Sequence, residues 1–333
     1  MSIIRAVGID VSAKHVHVAA EGRDDVAVFD NDHSGFKKLR NYITKGRVQD
    51  VRVVMEATGG YHIDLACFVS DHKKCRVMVV NPRIAKAFQA AAGGRAKTDR
   101  VDAVALMHFA KRMEFVPWSR PSAHDLELRA ISRYVDQLVK QQTRLKNHLE
   151  AARSTATTAE WVTMGLQQQL EQTQAWVALA KDKLVEAAKS NKDNALAVEV
   201  LDTIPGIGEQ SAAQLVAEFA FLARDMNAKQ VTAWAGLDPL PRDSGTSVRG
   251  RRGMSKRGNA RVRRMLYLCA QAGSRSGPMK DVKERVAARS GKKMVGVGAV
   301  MRKLLTVAWA IYRSRQPWNA EKMRPRQKVP HAA

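Results

Sequence analysis

Ala6-Val7-Gly8-Ile9-Asp10 and Val51-Arg52-Val53-Val54-Met55-Glu56-Ala57-Thr58-Gly59 decide the fold: each is an apolar, β-branched run that closes on a carboxylate. Outward from the first, Ile3 to Val11 alternates as a strand, and Val16 to Ala20 and Val26 to Phe29 follow at hairpin spacing across the turn Gly22-Arg23-Asp24-Asp25. Outward from the second, a helix is expected at 34–45 before it and another at 60–72 after it. A strand at Arg76 to Val80 and helices starting after Asn81-Pro82 and near Thr98 complete the pattern βββ-α-β-α-β-α.

Three meandering strands extended by right-handed βα crossovers predict an α/β ribonuclease-H-like fold over residues 1–118. The first and fourth strands of such a sheet lie side by side, so Asp10 and Glu56 emerge on one edge, while Asp99 and Asp102, at i and i+3, share one helix face. Like charges gathered in this way repel and raise one another's pKa values unless a cation intervenes. Hard oxygen ligands beside an anionic substrate imply Mg²⁺, with Mn²⁺ as the alternative, and two such ions can clamp the attacking and leaving oxygens of a phosphodiester. Taken singly each carboxylate is ordinary; Asp99 could simply cap the helix after Lys97-Thr98. His15, His17, His62 and His108 read as structural or surface residues rather than ligands.

The 333 residues are too many for one ordinary domain and carry a formal charge of +24. The excess is uneven: +7 over residues 1–120, −2 over 121–235 and +19 over 236–333. A polyanion is the expected partner, and the Gly, Trp and apolar helical periods that interleave the basic segment favour nucleic acid over a merely solvated face. Cys67, Cys75 and Cys269 lack metal-ligand spacing and read as reduced, mostly buried thiols. The first residues do not resemble a signal peptide and no stretch approaches 18 apolar residues, so a cytoplasmic protein with no membrane partner is expected.

Pro117 and Pro121 should end the first domain. Leu128, Ile131, Val135, Leu138, Gln142, Leu145 and Leu149 then repeat with the a/d spacing of a coiled coil, giving a helical oligomerisation region over 119–195. A second stretch with Trp161, Met164, Trp176, Leu179 and Leu184 folds back on it or pairs with a partner; self-association is placed ahead of an intramolecular hairpin. A mainly α-helical domain over 196–316 follows, and the polar residues 317–333 are expected to be disordered.

Within that third domain, Ile204-Pro205-Gly206-Ile207-Gly208 looks like the turn of a helix-hairpin-helix element, whose Gly206 and Gly208 would let backbone N–H groups approach a phosphate. The alternative is a glycine turn between packed helices. Arg249, Arg251, Arg252, Lys256 and Arg257 make a mobile cationic loop, and Arg261 and Arg264 stand one turn apart on the next helix, together forming a nucleic-acid groove. A serine beside these arginines either donates a hydrogen bond to phosphate or attacks phosphorus; chemistry alone does not choose.

These motifs resemble the DEDD-type insertion-sequence transposases, the bridge-RNA-guided serine recombinases. The resemblance rests on Gly8-Ile9-Asp10-Val11-Ser12, Glu56-Ala57-Thr58-Gly59, Lys97-Thr98-Asp99-Arg100-Val101-Asp102-Ala103, Ile204-Pro205-Gly206-Ile207-Gly208, and Ala235-Gly236-Leu237-Asp238-Pro239 through Ser244-Gly245 to Ser255-Lys256-Arg257-Gly258-Asn259, and spans nearly the whole chain. It implies a RuvC-like first domain whose catalytic and metal-binding carboxylates are Asp10, Glu56, Asp99 and Asp102, and a transposase domain over 196–316 whose nucleophile is Ser244, with Ser247 as the nearby rival. It also implies a bridge noncoding RNA pairing with target DNA and donor DNA, and a homo-oligomer, a dimer that becomes a tetramer on DNA, in which carboxylates and serine come from different protomers. The leading expectation is therefore an RNA-guided recombinase that cleaves, exchanges and inserts DNA through a serine-linked intermediate. The alternatives are a metal-dependent junction-resolving nuclease using water, and an inactive nucleic-acid scaffold.

Overall fold

The computed structural model describes residues 4–57, 59–92, 98–240, 243–244, 248–249 and 253–323, and the chain divides into two compact units, Met1–Arg120 and Pro121–Ala333. The first unit runs β1 (Ile4–Val11), β2 (His15–Ala20), β3 (Ala27–Asp30), α1 (His33–Thr44), β4 (Asp50–Glu56), α2 (His62–Ser70), β5 (Cys75–Val80), α3 (Pro82–Ala91) and α4 (Asp99–Arg112). Its sheet has the order β3-β2-β1-β4-β5, with β1–β3 antiparallel and β4 and β5 added in parallel, the topology of a ribonuclease-H-like fold. The caps are local: the Asp32 side chain accepts from Gly35 N at 2.7 Å to start α1, and Asn81 followed by Pro82 starts α3.

Strand alternation sorts this sheet into two faces. Val7, Ile9 and Val11 of β1, Val16 and Val18 of β2, and Val53 and Met55 of β4 pack with Phe36, Leu39, Ile43, Leu65 and Val69 of α1 and α2. The opposite face carries Ala6 and Val54 against Ala85, Leu106, Phe109 and Ala110 of α3 and α4. On β1, β2 and β4 the same alternation sends Gly8, Asp10, His17 and Glu56 to this second face.

The second unit comprises α5 (Ala123–Arg153), α6 (Glu160–Lys189), α7 (Lys192–Asp202), α8 (Glu209–Phe219), α9 (Ala228–Ala235), the short strands β6 (Pro239–Leu240), β7 (Asp243–Ser244), β8 (Val248–Arg249) and β9 (Gly253–Met254), and α10 (Ala260–Gly273), α11 (Gly277–Ser290) and α12 (Lys293–Ser314). A capping box at Ser122 and Asp125 starts α5, which pairs with α6 as a long antiparallel hairpin. The heptad seam is filled within the chain, which corrects the expectation that it serves self-association. Leu128, Val135 and Leu138 join Val177, Ala180 and Leu184, and farther out Leu145 and Leu149 join Leu170. The inner half of the hairpin shares one core with α7–α12, centred on Phe219 with the rings of Trp234, Trp309 and Tyr312 around it.

Two further expectations change. By length and composition α12 could cross a bilayer, contrary to the reading that no stretch comes near; its Val300, Leu304, Leu305, Ala308 and Trp309 are instead buried in the core. Residues 317–323 do not behave as a loose tail, because Trp318 packs on that core and its N–H donates to Thr203 Oγ1 at 2.9 Å. Residues 324–333 lie outside the described residues.

Candidate functional site

Asp10 ends the second face of β1, and Glu56 stands beside it, one step beyond the Ile9–Met55 pair of the parallel β1–β4 ladder. Helix α4 brings Asp99 and Asp102 to the same place. The Thr98 side chain accepts from Val101 N at 3.3 Å and starts the helix, so both aspartates fall in its first turn and Asp99 is not the cap. What permits the approach is Gly8: a Cβ there would overlap the Ala103 carbonyl oxygen and the Met107 backbone nitrogen, so α4 lies directly on β1 two residues before Asp10.

The electrostatics follow from that approach. Burial first, then repulsion from Asp99, Asp102 and Glu56, pushes Asp10 up to about 6, against a smaller pull downward from a hydrogen bond with the Val11 backbone. The other three carboxylates named from the sequence therefore all act on Asp10. Asp102 is held by Gln89, whose Nε2 donates to Asp102 Oδ1 at 2.6 Å.

His17 is the residue that sequence reasoning set aside. It is the cross-strand partner of Asp10 on β2, and its Nδ1 is buried, without a hydrogen-bond partner, 3.7 Å from Asp99 Oδ2. One ligand atom each of Asp10, His17 and Asp99 lie within 4.8 Å of one another. The available signal was strand alternation, since His17 occupies the same face as Asp10 once the hairpin register is known. A buried, unpartnered imidazole nitrogen beside mutually repelling carboxylates is a donor set that fits a divalent cation. Among the other histidines, His15 sits 3.5 Å from Asp30, outside this group.

In the second unit, Ser244 pairs with Val248 in the β7–β8 ribbon, and β6–β9 forms a second ribbon outside it. Ser247, Arg251 and Arg252 lie outside the described residues, as do Thr58, Lys97 and Gly245. Ser255–Asn259, expected within a mobile loop, is anchored on the end of α9. Ser255 Oγ bonds to Asp238, Lys256 N donates to Gly236 O at 3.0 Å, and Asn259 N donates to Trp234 O at 2.8 Å. Lys256 and Arg257 remain exposed above this base.

Two parts of the expected groove are engaged within the protein. Arg261 and Arg264 of α10 both pair with Asp136 of α5, although each side chain keeps about two fifths of its surface, 43% and 41%, in solvent. Gly206 has φ +92, and a Cβ there would meet the backbone of Cys269 and Gly273, so the absence of a side chain permits close packing against α10. Gly208, by contrast, opens α8 with open space around it. The three cysteines are free; Cys75 and Cys269 are buried, and burial raises both thiols, Cys75 to about 11.

A family model described as a transposase, of the IS110 DEDD type, matches residues 7–154, and a second, described as the transposase of the IS116/IS110/IS902 family, matches residues 198–287. The chain is 25% identical over 325 residues to a pilin gene-inverting protein of Moraxella bovis, covering 94% of this chain and 97% of that protein. It is likewise 25% identical over 300 residues to the pilin gene-inverting protein of Moraxella lacunata, covering 87% and 89%. An uncharacterized 44.8 kDa protein of insertion element IS116 from Streptomyces clavuligerus is 32% identical over 124 residues, 35% of this chain and 30% of that protein.

Proposed function

Because the chain belongs to the IS110 family of DEDD transposases, enzymes that act on DNA, we propose that it is an RNA-guided recombinase that cleaves and rejoins DNA through a serine-linked intermediate. The observation that carries this reading is the convergence of Asp99, Asp102 and Glu56 on Asp10, the arrangement that holds divalent cations against a phosphodiester. Asp10, Glu56, Asp99 and Asp102 would hold Mg²⁺ or Mn²⁺, with His17 as an added nitrogen ligand. A bound cation there supplies neutralisation of phosphate charge and polarisation of a phosphate oxygen. The Ser244 Oγ attacks phosphorus, a phosphoserine ester forms, and the sugar oxygen leaves as a hydroxyl, taking up a proton; rejoining reverses these bonds.

The protein's partners are a bridge RNA, target DNA and donor DNA, and the +19 charge of residues 236–333 suits all three. Homo-oligomerisation is supported by α6. Trp161, Met164, Trp176 and Leu179 share a face at helical spacing, opposite to buried Leu170, Val177 and Leu184, and all four are exposed. In this reading carboxylates and serine act from different protomers.

A metal-dependent junction nuclease is the second reading, favoured by the Asp10–His17–Asp99 group, which needs only water as nucleophile. The gene-inverting relatives weigh against it, since inversion requires rejoining. The deciding experiment incubates the protein with its element's DNA and RNA. A covalent protein–DNA adduct lost in Ser244→Ala, with activity restored by mixing Ser244→Ala and Asp10→Asn protomers, is the expected result. Cleavage that survives Ser244→Ala overturns the serine mechanism, and activity unaffected by RNase treatment overturns RNA guidance.

A further inference from the structure

The turn between α11 and α12 combines apolar and cationic side chains in the open. Met294 and Val295, in the first turn of α12, are 61% and 46% exposed, whereas Val297, Val300 and Met301 farther along the same helix are buried in the core. Arg289, Lys292 and Lys293 of the same turn, and Arg285 one helical turn earlier on α11, are exposed as well. The carboxylate that precedes them, Glu284, pairs with Lys280 at 3.8 Å. From Arg285 to Ala320 the chain carries eight lysines and arginines and no carboxylate, so this run holds no counter-charge of its own.

The tip is held firmly and lies close to the ribbon of Ser244. Gly291 ends α11 at φ +67, and Lys292 N donates to Ser290 Oγ at 3.3 Å across the turn. A Cβ on Gly296 would overlap the Lys283 carbonyl oxygen, so α12 lies directly on α11 two residues after Met294. A Cβ on Gly298 would stand 3.4 Å from Met254 Cε of β9. Helix α12 therefore passes the root of the ribbon that carries Ser244, and Met294 stands one turn, about 6 Å, beyond that point.

A partner for this tip must be anionic and must also bury apolar side chains. Duplex DNA does both: phosphates line its minor groove on either side, and a base step that opens exposes two apolar base faces. Methionine, unbranched and polarizable, suits contact with such faces. Two copies meeting tip to tip would set like charges against each other. We infer that Met294, with Val295 beside it, is a wedge that enters the minor groove of duplex DNA and opens one base step, while Arg289, Lys292 and Lys293 hold the flanking phosphates. This goes beyond the recombinase reading, since it needs only that the enzyme acts on DNA and neither the serine step nor RNA guidance. The kink would fall near the ribbon, loosening the duplex where its strands are to be cut. Flexible pyrimidine–purine steps open most cheaply, so a TA step is the one the wedge prefers.

The test binds the full-length protein, without RNA, to short duplexes with one central TA step. Dyes at the two ends read bending by energy transfer, and 2-aminopurine in place of the central adenine reads unstacking. The expected result is a bend of about 20–90° together with a rise in 2-aminopurine fluorescence. Both signals should be lost in Met294→Ala and kept in Met294→Leu, with salt-dependent binding persisting in each. Changing Lys292 and Lys293 together to alanine should make the slope of log affinity against log salt shallower by about 2. Bending and fluorescence unchanged in Met294→Ala overturn the wedge. A fall in the sedimenting mass of Met294→Ala with bending intact also overturns it and gives the tip to a second copy of the chain. Wild-type protein that binds duplexes without bending them overturns the wedge and leaves the DNA reading standing, whereas no salt-dependent binding to any duplex overturns both.

Discussion

Replacing Asp10 by asparagine should make the cation-free protein more stable while abolishing its catalysis. Asp10 is raised from 3.8 to about 6 by burial and by Asp99, Asp102 and Glu56. The native protein therefore keeps this proton over a range in which the unfolded chain has lost it, and stability falls as pH rises from about 4 to 6. Two units correspond to about 3 kcal/mol, which solvent screening at a half-buried carboxylate reduces to roughly 1–2 kcal/mol. Asparagine keeps the shape, can still accept from the Val11 backbone and carries no charge, so at pH 7.5 the first unit should melt roughly 3–8 °C higher than wild type. At pH 4 the wild-type carboxyl is already protonated and the difference should nearly disappear. Millimolar Mg²⁺ or Mn²⁺ should raise the wild-type melting temperature at pH 7.5 and leave Asp10→Asn almost unmoved. Scanning calorimetry at both pH values, with and without cation, checks this. An asparagine variant no more stable at pH 7.5, or one stabilised equally at pH 4, would refute the account of the cluster as mutually repelling carboxylates.

Gly8→Ala should cost about 1–3 kcal/mol, because its Cβ meets the α4 backbone and not a side chain that can rotate away, and activity should fall as Asp99 and Asp102 move; denaturant melts and cleavage assays read both. His17→Ala should lower Mn²⁺-supported rates more than Mg²⁺-supported ones, since imidazole favours the transition metal; an unchanged rate ratio would remove His17 from the ligand set. Asn259→Ala should destabilise the second unit by about 2–4 kcal/mol in chemical denaturation. It removes the cap that accepts from Arg261 N and Val262 N and takes from the Oε2 of buried Glu218 the hydrogen bond that Asn259 Nδ2 donates.

The first unit was largely legible because its signals are local. Strand alternation, the Asn81-Pro82 start and the Thr98 cap fall within a few residues of the elements that they define, and observed boundaries differ from expectation by only a residue or two at most ends. The four carboxylates could be named because each ends a strand or starts a helix. His17 was missed because its relevance depends on register across a hairpin, where a one-residue slip would turn it to the other face. The second unit was harder to read because its decisive contacts are distant in sequence. Asp136 captures Arg264 across 128 positions, and Gly206 answers to Cys269 and Gly273, so residues that look suited to phosphate are partly occupied by packing. The heptad of α5 announces a helical partner but not whether that partner lies in the same chain.

The anchoring of Ser255–Asn259 on the end of α9 makes the ribbon that carries Ser244 an interchangeable cassette. Its two roots, β6 and β9, are pinned to each other and, through Asp238 and Trp234, to the helical core. Exchange of residues between the roots leaves these bonds untouched, and doubling that length adds only about 0.6 kcal/mol of closure entropy. Transplanting the segment from a distant relative should therefore alter how the enzyme meets DNA while the helical body keeps its melting temperature, a practical route to recombinases with reshaped substrate contacts.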